Sequence, residues 1–107
     1  MAIPEVNVAE LESALAGGAR LYDVREPDEY TQAHVPGAVL IPLATVAANV
    51  ERFRGDGTAY IICRSGGRSM TACEQLADAG VAVANVAGGT MGWATSGRTT
   101  VGGDQPA

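Results

Sequence analysis

Aromatic residues are scarce in this chain, 5% of 107 residues, so any core it buries is aliphatic and rich in alanine. Long apolar runs are missing too. No stretch reaches the roughly 18 apolar residues of a membrane span. Met1-Ala2-Ile3-Pro4-Glu5 lacks the charged start and apolar centre expected of a signal peptide. Lysine is absent and all seven basic residues are arginine, yet the net charge is −5 and the isoelectric point about 4.6. That balance argues against nucleic acid and anionic membranes as partners. One histidine and two cysteines do not make a metal site, and nothing calls for a cofactor. Cys73 would lie about six residues into a helix, roughly 9 Å along its axis from the start. A disulfide to Cys63 needs Cα atoms within about 7 Å, so both thiols are read as reduced, which points to the cytosol.

What the chain does contain centres on Tyr60-Ile61-Ile62-Cys63-Arg64-Ser65-Gly66-Gly67-Arg68-Ser69-Met70. Tyr60 to Ile62 suit a buried strand. Met70, Cys73 and Ala77 recur at helical spacing, so a helix is expected to begin between Gly67 and Ser69. Cys63 then sits where a strand ends and a tight loop enters a helix N-terminus. An ordinary cysteine is only about 3% thiolate at pH 7. Helix-terminal N–H groups, a nest of amides at Gly66 and Gly67, and the charges of Arg64 and Arg68 all favour the anion. A buried structural cysteine is the plainer alternative, and the flanking arginines and glycines fit it poorly.

In chain order, Glu5 to Asn7 reads as a short strand, with Asn7 capping a helix that carries Val8, Leu11 and Leu15 on one face. Arg20 to Arg25 is a second strand with a polar tip. Pro27 starts a short helix over Asp28 to Ala33, and His34 to Ala38 is a turn. Ala38 to Ile41 reads as a strand buried on both faces. Leu43, Val46, Ala47, Val50 and Phe53 outline an amphipathic helix. A fourth strand, Ala59 to Ile62, precedes the cysteine loop, and a fifth covers Val81 to Val86. Gly88-Gly89 leads into a short helix around Trp93. The expected architecture is α/β: an open five-stranded parallel sheet with helices on both faces. The domain is set at residues 1–97, and 98–107 is expected as a flexible C-terminal tail. Ligands of such sheets bind at the carboxyl ends of the strands, which places the Cys63 loop beside Asp23 and Arg25.

Four motifs in order, Asp23 to Tyr30, His34 to Ala38, Cys63 to Ser69, and Gly88-Gly89 followed by Trp93, make the chain resemble a single-domain rhodanese. The resemblance runs from about Asn7 to Gly97. Ala33 and Leu40 depart from it, standing where that family often has glycine and asparagine. The resemblance implies a sulfurtransferase in which Cys63 takes a sulfane sulfur as a persulfide. A donor such as thiosulfate supplies it, and a thiophilic acceptor (cyanide, a thiol or an acceptor protein) removes it. Arg64, Ser65, Gly66, Gly67 and Arg68 are the candidate substrate-binding residues, with Asp23 and Arg25 in support. Arg68 either holds the donor or pairs with a carboxylate, for which Asp23 is the expected partner. His34, Trp93 and Cys73 are read as structural. A cysteine phosphatase or arsenate reductase uses a similar cradle, but with five residues between cysteine and arginine; here there are four. A persulfide carrier or a binding module for a partner protein is the other alternative.

Overall fold

A computed structural model describes residues 2–107. Strands Glu5–Val6 (β1), Arg20–Asp23 (β2), Val39–Leu40 (β3), Ala59–Ile62 (β4) and Val83–Val86 (β5) form one parallel sheet, in the order β1-β5-β4-β2-β3. Helices Val8–Ala16 (α1), Pro27–Gln32 (α2), Gly67–Asp78 (α3) and Gly89–Thr95 (α4) join and cover them. Strand residues alternate between faces, and β4 feeds a separate apolar cluster on each. Ile61 packs with Phe53, Cys73 and Leu76, while Ile62 packs with Leu11, Tyr30 and Trp93. The expected five-stranded parallel sheet is the one found. No helix among the described residues is long and apolar enough to cross a membrane.

Local chemistry explains the ends of the elements. Asn7 Oδ1 accepts from the Glu10 amide at 2.8 Å while Glu10 Oε1 accepts from the Asn7 amide at 2.9 Å, a reciprocal cap for α1. Two expectations are corrected. The amphipathic helix over Leu43 to Phe53 is instead two 3-10 stretches, Leu43–Thr45 and Ala47–Phe53, the second kinked within itself at Asn49. There Asn49 Nδ2 donates to Thr45 O at 2.8 Å while the Asn49 amide goes to Val46 O. The side chain takes the carbonyl that an α-helix would give to the backbone N–H. The third strand is not buried on both faces either. It shrinks to Val39–Leu40 at the sheet edge, both residues half-buried.

Residues 98–107 run beside the turn after α2. His34 and Val101 exchange backbone bonds of 2.8 and 2.9 Å, and the Gly37 amide donates to Pro106 O at 2.9 Å. The buried His34 ring places Nδ1 2.8 Å from Tyr30 O and Nε2 2.8 Å from Gln105 O. Trp93 is buried and donates its indole N–H to Thr99 O.

Candidate active site

Strand β4 delivers Cys63 to the carboxyl edge of the sheet, and the chain reverses over four residues into α3. Gly66 makes that turn possible. Its φ is +109°, and a Cβ there would sit 2.6 Å from Ala87 O. In this conformation the Gly66 amide donates to Cys63 Sγ at 3.2 Å. Gly67, expected to share the role, opens α3 with open space where a Cβ would go. Only one of the two glycines is demanded by the loop.

A second glycine supports the loop from the start of α4. Gly89 (φ +63°) lies against the Arg64–Ser65 peptide, so that a Cβ would overlap the Arg64 carbonyl. Just beyond it, the Thr90 and Met91 amides donate to Cys63 O and Arg64 O at 2.8 and 3.0 Å. Gly89→Ala is expected to cost more than about 2 kcal/mol, from left-handed strain plus the clash. Urea unfolding reads the stability loss, and faster alkylation of Cys63 reads the loop displaced from over the sulfur.

The environment of Cys63 opposes two effects. Burial, the largest, pushes the thiol up. The Ser69 hydroxyl, when its proton turns to the sulfur, and the amides of Ser69, Gly66 and Ser65 outweigh it, so the thiol lies below its ordinary value. Ser69 Oγ is 3.2 Å from Sγ. Cys63 is only 1% exposed, so its sulfur lies beneath the loop rather than at the surface. Cys73 sits in the core with its thiol pushed up to about 12 by burial, so it is protonated at neutral pH.

The charged residues are arranged differently from the expectation. Asp23 pairs with Arg25, not Arg68: Arg25 Nε donates to Oδ1 at 3.0 Å and Nη2 to Oδ2 at 2.8 Å, and Nη2 also donates to Ala33 O. Arg68 reaches across to α2 instead. Its Nη1 and Nη2 donate to Glu29 Oε1 and Oε2 at 2.7 and 2.8 Å. Asp23 is taken by the arginine two residues along, and Glu29 faces the first turn of α3. Arg64 and Ser65 are exposed, and Arg64 forms no ion pair among the described residues. A cavity of about 440 Å³ opens beside the loop, lined by Arg25, Glu29, Arg64, Thr90 and Met91.

The Arg68 guanidinium holds the Glu29 carboxyl down at about 2, from an ordinary 4.5, and the Glu26 amide assists it against burial. A depressed carboxylate stabilises the fold above its unfolded value and stops doing so as pH falls through its folded value. Glu29→Gln is therefore expected to lower stability at neutral pH. The gap from the native protein should close between pH 4.5 and about 2, as read by urea unfolding across that range.

The model of the rhodanese-like domain matches residues 7–96. The chain belongs to the rhodanese-like family. That family is of sulfurtransferase type. The putative sulfurtransferase YtwF of Bacillus subtilis is 37% identical over 95 residues, covering 87% of this chain and 92% of its own. The putative sulfur carrier protein YrkF of the same organism is 36% identical over 94 residues, covering 85% of this chain but 51% of its own. The human single-domain sulfurtransferase TSTD1 superposes with a TM-score of 0.77 at 28% identity, over 88% of this chain and 97% of its own.

Within this rhodanese-like domain, sequence reading missed two residues of the site. Ser69 touches the sulfur, and Asn85 holds Ser69 through its carbonyl at 2.5 Å. A detectable signal existed for Asn85. It is the lone amide in the otherwise apolar strand Val83-Ala84-Asn85-Val86, and a buried amide must have partners.

Proposed function

We propose that the chain is a thiosulfate sulfurtransferase working through a persulfide on Cys63. The observation that carries this reading is the sulfur itself, held by the Gly66 amide and the Ser69 hydroxyl at a strand-to-helix turn. The Cys63 thiolate attacks the outer sulfur of thiosulfate. A sulfur–sulfur bond forms, the donor's own sulfur–sulfur bond breaks, and sulfite leaves with the electron pair. The amides that hold the thiolate then serve the persulfide anion. Cyanide or an acceptor thiolate removes the outer sulfur and restores the thiolate. Arg64 is the exposed cation beside the loop and the candidate for holding the anionic donor. Arg68, engaged with Glu29, orders the loop through α2. Two free thiols suit a reducing compartment such as the cytosol.

Incubation with thiosulfate is expected to add one sulfur atom to the intact mass, and cyanide to remove it as thiocyanate. A phosphate ester should not be hydrolysed. An unchanged mass with thiosulfate would exclude this donor. A second reading, delivery of the persulfide to a partner protein, draws on the relative named a putative sulfur carrier and on Met91, exposed beside the loop. Slow transfer to cyanide with fast transfer to one protein would favour it.

A further inference from the structure

Asn85 is 1% exposed, and both ends of its amide are engaged. Its Nδ2 donates to Glu5 Oε2 at 3.0 Å and to Gly66 O at 3.1 Å. Turned over, the amide would aim its oxygen at two acceptors, so this orientation is set by its partners. Oδ1 therefore faces Ser69 and receives its hydroxyl proton across 2.5 Å. A hydroxyl has only one proton to give. With that proton on Asn85, Ser69 Oγ meets Cys63 Sγ at 3.2 Å as an acceptor, the arrangement that suits S–H. To favour the thiolate, the hydroxyl must turn and donate to sulfur, which strips a buried Oδ1 of its donor.

We propose that Asn85 is a positioning residue that competes with the sulfur for the single hydroxyl proton of Ser69, and so governs when Cys63 ionises. The thiol form has every bond satisfied in line: Sγ–H to Oγ, Oγ–H to Oδ1, and Nδ2–H to Glu5. Ionisation sends the sulfur's proton to solvent and turns the hydroxyl toward Sγ. Asn85 also holds the carbonyl of Gly66 while the amide of Gly66 holds the sulfur, so it anchors the turn it regulates. The other charged or titratable groups around the sulfur are Arg68 and Cys73 from α3, Arg64 beside it, the Asp23–Arg25 pair ending β2, and Glu5 behind Asn85. The substitutions below leave all of these in place.

The inference rests on Cys63 as the nucleophile, but its test needs no sulfur donor, so failure of sulfur transfer and failure of this idea are separable. The ultraviolet absorbance of the thiolate is titrated in four proteins: native, Ser69→Ala, Asn85→Leu and the double variant. Cys73, pushed up to about 12, stays silent below pH 9. Asn85→Leu is expected to lower the Cys63 midpoint by about one unit, a tenfold gain in ionisation. Ser69→Ala should change ionisation less than about threefold in the native background, and reduce it about tenfold when Asn85 is absent. A tenfold loss from Ser69→Ala in both backgrounds would overturn the proposal, as would an unchanged or raised midpoint in Asn85→Leu. Should Asn85→Leu not fold, Ser69→Ala alone decides. A tenfold loss in the native background means the hydroxyl already serves the thiolate.

Discussion

Cys63→Ser is expected to abolish the mass gain from thiosulfate and to lower the rate of sulfur transfer by more than about 10³-fold. Serine nearly matches cysteine in size and keeps the contacts of the turn. The Gly66 amide and the Ser69 hydroxyl, each 3.2 Å from Sγ, can still bond an oxygen there. What disappears is an atom that ionises near neutral pH and forms a bond to sulfur. Protein stability should therefore hold while activity is lost, which separates chemistry from folding. Cys73→Ser is the control. That thiol, raised to about 12 by burial, carries almost no thiolate at pH 7, so the variant should still gain one sulfur. Mass gain retained in Cys63→Ser and lost in Cys73→Ser would reverse the assignment.

The place of the cysteine turn was legible because one short stretch changes period, from an apolar strand to a helical repeat, around two glycines. The layered fold was legible for the same reason, since strand and helix patterns alternate along the chain. Partner choice was not. Asp23 and Glu29 are both acidic residues near the same sheet edge, and spacing does not reveal that Arg25 folds back onto Asp23 and leaves Glu29 to Arg68. The stretch Leu43 to Phe53 has helical apolar spacing, but spacing says nothing of the Asn49 side chain competing for the Thr45 carbonyl. Gly66 and Gly67 look equivalent in sequence. Only the close approach of Ala87 O tells them apart. The Ser69–Asn85 bond joins residues 16 apart on different elements, so it is visible only once β5 lies beside β4.

Asp23→Ala is expected to destabilise the protein by about 3–5 kcal/mol, because it leaves a buried guanidinium without the carboxylate that pairs with it. Asp23 is 0% and Arg25 6% exposed, so water cannot take the carboxylate's place without opening the end of β2. Four hydrogen bonds go at once: three side-chain bonds from Arg25 and the Arg25 amide bond to Oδ1 at 3.0 Å. For a domain of this length each kcal/mol moves the melting temperature by about 4–8 °C, so a fall of at least about 12 °C should appear in thermal unfolding. Asp23→Ala with Arg25→Met, which removes the stranded charge as well, should recover much of that loss. No recovery would mean that the pair matters chiefly through the Ala33 carbonyl, which Arg25 ties to the sheet edge. β2 lies directly beside β4, with Asp23 in register with Ile62, the residue before Cys63. The ion pair thus stiffens the strand end against which the cysteine turn is built, and disorder there should also expose the buried sulfur and speed Cys63 alkylation below the melting range.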